Sequence, residues 1–153
     1  MKNVLVAVDS KSFGKTITQF IVNHFWPPDT QFKVLHVIEP SADSTAQQEA
    51  EELVNVVATA IRELLPSALV KTRIIPGNPE HEIIGTACSW PAEIVIVGSH
   101  GRRGVKKLVL GSVSSAVVTA APCSVVVVKM PEFHADEKAL VESEQNFVIL
   151  SPK

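Results

Sequence analysis

Four short runs of almost unbroken apolar residues constrain this chain more than anything else: Val4-Leu5-Val6-Ala7-Val8, Val34 to Ile38, Ile94-Val95-Ile96-Val97 and Val125-Val126-Val127-Val128. Continuous β-branched runs of this length are the pattern of strands buried on both faces. Between them the period changes. Phe13, Ile17, Phe20, Ile21 and Phe25 recur at helical spacing until Trp26-Pro27-Pro28 halts them. A longer amphipathic stretch from about residue 46 to 65 carries Leu53, Val56, Val57, Ala60, Ile61 and Leu64 as its apolar side. Leu69 to Ile75 alternates, with Lys71 and Arg73 between less polar neighbours, which predicts a strand at a sheet edge. Asn78-Pro79-Glu80 has the chemistry of a helix start: a capping side chain, a proline at the first position and an acid at the positive end of the dipole.

The segment from Ser112 to Ala121 is the one place where propensity and topology conflict. Val113, Val117, Val118 and Thr119 favour a strand. Two parallel strands need a crossover between them, so a helix is predicted here. Strand and helix then alternate from end to end, which implies an open, doubly wound parallel α/β sheet with helices on both faces. With 153 residues the chain suits one domain, predicted over residues 1–130. Residues 131–153 turn polar and acidic apart from Phe147-Val148-Ile149-Leu150, a run able to dock on the domain, and most of this tail is expected to be a flexible appendage.

Composition narrows the partners. A net charge of -2 argues against a general nucleic-acid binder. The two cysteines, Cys88 and Cys123, form no disulfide framework or zinc spacing and suit a reducing compartment. The opening apolar run stops at Asp9, too early for a secretory leader, and no stretch approaches the roughly 20 apolar residues that span a bilayer. A cytoplasmic protein with no membrane partner is expected.

The chemistry is concentrated after the fourth strand, in Val97-Gly98-Ser99-His100-Gly101-Arg102-Arg103-Gly104 through to Gly111-Ser112. Glycines directly after a buried strand let backbone N–H groups approach an anion and adopt positive φ. Ser112 stands where a helix begins, so its hydroxyl and the free amides behind it face one anion. Arg102, Arg103, Lys106 and Lys107 make the loop basic. A competing stretch, Asp9-Ser10-Lys11-Ser12-Phe13-Gly14-Lys15-Thr16, nearly spells the P-loop. Asp9 replaces its first glycine, and a carboxylate there repels phosphate.

Gly98, two residues, Gly101, nine residues and then Gly111-Ser112 resembles the nucleotide signature of the universal stress protein family. Val4 to Asp9, His36-Val37-Ile38 and Ala121 to Val128 resemble that family too, so the likeness runs from residue 1 to about 130. It implies a five-stranded sheet of order 3-2-1-4-5, of the adenine nucleotide alpha hydrolase-like kind, with a ligand crevice where the order reverses between the first and fourth strands. By the same resemblance Ala7, Val8 and Asp9 approach adenine and ribose, and the Val37 backbone meets the adenine edge. Val97, Gly98, Gly101, Arg102, Gly111, Ser112, Val113 and Ser114 surround the phosphates of ATP, ADP or AMP, with Asp9 placed to assist Mg2+ or Mn2+. Ala7 departs from members that carry proline there, which bears on the adenine pocket. His24, His36, His81 and Cys88 are read as packing or solubility residues.

The implied function is an adenine-nucleotide-binding regulatory protein of the stress response. Its alternatives are a slow ATPase and a nucleotide-free dimeric interaction module. The fifth strand is an edge in that order, and its bare apolar run predicts pairing with the same strand of a second copy, giving a homodimer through Val125–Val128.

Overall fold

The computed structural model describes residues 2–99, 110–129 and 147–150. The strands are β1 (Asn3–Ala7), β2 (Gln31–Ile38), β3 (Leu69–Pro76), β4 (Ile94–Gly98), β5 (Ser124–Val128) and β6 (Phe147–Leu150). The helices are α1 (Lys11–Val22), α2 (Ser44–Leu64), α3 (Pro79–Ser89) and α4 (Ser112–Ala120). The sheet runs β3-β2-β1-β4-β5-β6, parallel through its first five members. The expected five-stranded order is therefore present, with one strand added.

Pleating sends alternate residues of each strand to opposite faces. Val4, Val6, Val34 and Ile96 pack beneath Ile17 and Ile21 of α1 and Val54, Val57, Ala58 and Ile61 of α2. Leu5, Leu35, Val95 and Val97 pack beneath Ile83 and Ala87 of α3 and Val117 of α4. Each such aliphatic side chain taken out of water contributes about 1.5–3 kcal/mol, so two cores, one per face, hold the helices on the sheet.

Three expectations need correction. First, α1 ends at Val22, and Phe25 is 90% exposed rather than part of the buried stripe. Second, α2 is rotated relative to its expected apolar side. It buries Ala50, Val54 and Ala58 beside Leu53, Val57 and Ile61, while Val56 and Leu64 are 66% and 60% exposed. With nearly every residue from Leu53 to Ile61 apolar or small, packing against β2 and β3 chose the face.

Third, β5 is not an edge strand in this chain. Phe147–Leu150 lie antiparallel along it, pairing Val128 with Phe147 and Val125 with Leu150. The backbone groups expected to bind a second copy are taken by the chain's own tail, so the homodimer through Val125–Val128 is not supported. A tethered strand holds a high local concentration at that edge, which favours it over a separate molecule. The apolar run of the tail, Phe147–Leu150, is thus a strand of the sheet, while the expectation of a flexible tail concerns residues 131–146 and 151–153, which lie outside the described residues.

The contested segment is a helix, α4, as the crossover argument required. The near-P-loop is the start of α1: Ser10 is its N-cap, accepting from the Phe13 amide at 3.4 Å. Gly14 lies inside the helix, where a Cβ would stand 2.9 Å from Val57 Cγ2 of α2. Its glycine serves helix packing. Asn78 caps α3 as predicted, accepting from the His81 amide at 3.2 Å with Pro79 at the first position.

Candidate functional site

Hydrogen-bond alternation in the parallel ladders defines a crevice at the carboxyl end of β1. Val8 N–H donates to Leu35 O at 2.9 Å, so the odd residues of β2 aim their backbone groups at β1. The last β1–β2 pair is Ala7 with Leu35. Val37 comes next in that alternation, and its N–H and C=O face the space beyond the end of β1, where no described backbone group meets them.

The same geometry holds on the other side. Ser99 N–H donates to Val128 O at 2.8 Å, so odd residues of β4 face β5 and even ones face β1. The last β1–β4 pair is Val6 with Ile96. Gly98 therefore turns its N–H and C=O toward the same space from the opposite flank. Two strand spacings, about 10 Å, separate the two backbones, enough for a planar heterocycle or a ribose between them.

The floor is held by side chains. His36, 7% exposed, places Nδ1 2.7 Å from Val8 O. A carbonyl only accepts, so Nδ1 carries the proton. This bond takes the carbonyl that would otherwise have continued the ladder to Val37, and it anchors the turn that carries Asp9. The role was missed in the sequence, although a buried polar residue in an apolar strand must find a partner. Phe13 lies over Gly98 so closely that a Cβ there would fall within its ring. Gly98 thus has a packing reason to be glycine beside any ligand-binding one.

The basic loop leaves at Ser99 and returns at Gly111, whose N–H donates to Ser99 O at 2.9 Å. This bond fastens the start of α4 to the end of β4. Gly111 is the N-cap, with φ -60 and no side-chain cap, so the first-turn amides of Ser112, Val113 and Ser114 are left without intrahelical partners. Ser112 is exposed and Val113 partly buried. Ser114 is 3% exposed, and its hydroxyl faces Gly111 O at 3.1 Å and Ser99 O at 3.3 Å. It is placed as a clasp for the loop base, with its amide at the helix terminus.

The expectation of positive φ is corrected. Among the described glycines only Gly77 has one, so Gly98 is required for space and not for backbone freedom, and Gly111 has an ordinary φ of -60. Ala7 and Asp9 are partly buried at the end of β1, and Val8 and Val97 are core residues beneath the crevice. Gly101 and Arg102, with Arg103, Lys106 and Lys107, lie outside the described residues. No described group of three His, Cys, Asp or Glu side chains is arranged to hold a metal ion. No described helix is long and apolar enough to cross a membrane.

A doubly wound parallel sheet whose order reverses at β1 and β4, with main chain left unpaired there among the described residues and a helix whose N-cap glycine has no side chain to offer, defines a class of α/β proteins that take ligands at the switch point. The family model described as the universal stress protein family matches residues 1–129, and the chain belongs to that family. A protein of Staphylococcus aureus (strain USA300) bearing the universal stress protein name is 29% identical, the match covering 94% of this chain and 93% of that one. Among solved structures, hypothetical protein MJ0577, the subject of a structure-based assignment of function, superposes with a TM-score of 0.69 at 26% identity, covering 86% of this chain and 97% of that one. An Arabidopsis thaliana universal stress protein family protein, solved with AMP bound, shares the fold with a TM-score of 0.67 at 18% identity over 90% of this chain and 100% of its own.

Proposed function

We propose that this chain holds an adenine nucleotide in the crevice between β1 and β4 and acts in the stress response by binding it rather than by rapid turnover. The observation that carries this reading is the pair of open main-chain edges, Val37 on one side and Gly98 on the other, beside the uncapped start of α4. An adenine edge presents an amino donor next to a ring-nitrogen acceptor, the complement of a free carbonyl and a free amide on one strand. Helix-terminal amides carry partial positive charge and favour phosphate. AMP in the Arabidopsis thaliana relative supports the adenine part of the reading.

In this arrangement Ala7, Val8 and Val37 border the base, and Asp9 borders the ribose. Ser112, Val113 and Ser114 offer amides to the phosphates, with Val97 and Gly98 beneath and Gly101, Arg102 and Gly111 contributed by the basic loop. One carboxylate in the β1–α1 turn fits a magnesium or manganese ion held mainly by phosphate oxygens, and Asp9 is that carboxylate. Such an ion would draw negative charge off the phosphates. Amides, hydroxyls and one carboxylate bind and orient a nucleotide, which is the basis for preferring a holder of ATP, ADP or AMP over an efficient ATPase.

The test is to denature freshly purified protein, identify the released small molecule by chromatography, and titrate ATP by calorimetry into wild type and Gly111→Val. The expected result is an adenine nucleotide in the supernatant and a loss of affinity of at least tenfold in the variant, with its circular dichroism unchanged. Equal affinity in the two proteins would remove α4's start from the site.

A further inference from the structure

The outer edge of the sheet, at β3, carries a cluster of cations two strands away from the β1 side of the crevice. Lys33 pairs with Lys71 and Leu35 with Arg73 across β2 and β3, so Lys33, Lys71 and Arg73 share the α3 face of the sheet with Leu35. Lys71 and Arg73 are exposed. Lys33 Nζ sits 4.1 Å from the centre of the Trp90 ring. Burial, then Arg73, then Lys71 hold the Lys33 ammonium below its ordinary pKa, so both neighbours lie close enough to repel it. Among the described residues none of them has a carboxylate partner; the one ion pair there joins Lys11 to Glu52 at 3.8 Å.

Backbone groups add direction. Leu69 N–H donates to Thr30 O and Gly77 N–H to Ile38 O, both at 2.9 Å, so odd residues of β3 face β2 and even ones face outward. Of the outward set, Val70 O is taken by Arg62 Nη2 at 2.8 Å, and Pro76 has no N–H to offer. Thr72 and Ile74 remain, flanking Arg73, each with a donor and acceptor that no described residue takes. Val70 and Ile74 lean on the α2 side of the sheet.

We infer that this edge binds an extended acidic peptide strand from another protein by adding it to the sheet beside β3. An antiparallel strand bonded to Thr72 and Ile74 brings its intervening residue opposite Arg73, and the residue two places along opposite Lys71, at the close, non-hydrogen-bonded spacing. Both positions fall on the cationic face, and the residue between them falls on the face of Val70 and Ile74. The recognised pattern is therefore acid, apolar, acid. The same rule disfavours a second copy of this edge in the two registers centred on the cations: antiparallel pairing about Thr72 sets Lys71 opposite Arg73, and pairing about Arg73 sets it against itself. Bare cations on an edge strand are a known guard against such self-pairing, and here they also select the charge of a partner.

The experiment follows amide exchange by NMR while the blocked peptide Thr-Glu-Val-Glu-Val-Glu-Thr is titrated into the full chain, with and without ATP. The expected result is slowed exchange at Thr72 and Ile74, unaltered by ATP, with binding about tenfold weaker once both cations are neutralised. The peptide Thr-Lys-Val-Lys-Val-Lys-Thr should fail against wild type and bind the variant carrying Lys71→Glu and Arg73→Glu. Thr72→Pro, which removes an outward N–H and leaves the β2 ladder intact, should abolish binding of the acidic peptide. The proposal is overturned if the acidic peptide protects no β3 amide, if the lysine peptide binds wild type equally, or if Thr72→Pro binds unchanged. Because the readout is at β3, it stands or falls independently of nucleotide binding.

Discussion

His36 Nδ1 and Val8 O, 2.7 Å apart, join the second strand to the turn that follows the first. The bond fastens the β1–α1 turn against β2 where the β1–β2 ladder ends, so the mouth of the crevice depends on one imidazole proton. His36→Leu leaves a buried carbonyl without its donor and is expected to cost about 1–3 kcal/mol of stability. It should also weaken ATP binding, with His36→Asn, whose amide can donate, recovering part of both. Urea denaturation and calorimetry on the three proteins check this; unchanged affinity in His36→Leu would confine His36 to packing.

Gly98 and Phe13 form a second contact of this kind. The methyl of Gly98→Ala would have to displace a ring that is 4% exposed, an overpacking expected to cost about 1–3 kcal/mol. Phe13→Leu in the same chain should return part of the loss, because it vacates the space the methyl needs. Additive destabilisation in the double variant would show that the two residues do not compete.

Stopping the chain after Asn146 removes β6 and bares the outer side of β5. The exposed row Val125–Val128 is then an unguarded apolar edge. Light scattering at micromolar concentration should report a larger species for the shortened protein than for the full chain. An unchanged mass would mean that β6 is not what closes that edge.

The two thiols should differ in reactivity. Cys88 is exposed and Cys123 half-buried, and burial, followed by the nearby Cys88, pushes the Cys123 thiol above its ordinary pKa. At any pH below that raised value Cys123 holds less thiolate, the reactive form. Mass spectrometry during iodoacetamide treatment at mild alkaline pH should find Cys88 modified first, and the lag of Cys123 should shrink as the pH climbs. Equal rates throughout would contradict the placement.

Much of the architecture was legible because the signals are local. Val4 to Val8 and Ile94 to Val97 can only be comfortable in a sheet covered twice, and Asn78-Pro79 announces a helix start whatever surrounds it. The stripe of α2 was misread because Leu53 to Ile61 offers several apolar faces of similar quality. At the site, Gly98 stands out as a glycine directly after a buried strand and Val37 by family likeness alone; neither periodicity nor propensity reveals that their backbones look at each other. His36 and Phe13 were passed over because their partners, Val8 O and the bare face of Gly98, are properties of a fold and not of a segment.

By itself the sequence determined the kind of β1 to β5 and α1 to α3, and with them an alternation that required a crossover at α4 and so the doubly wound class, since side-chain periodicity and capping act within a few residues. Tertiary structure alone decided which face of α2 is buried, that Phe147–Leu150 closes the β5 edge, and that ladder bonding stops at Ala7 with Val37 and Gly98 left open. Those outcomes rest on hydrogen bonds and packing between residues far apart in the chain, whose pairing only the assembled sheet can choose.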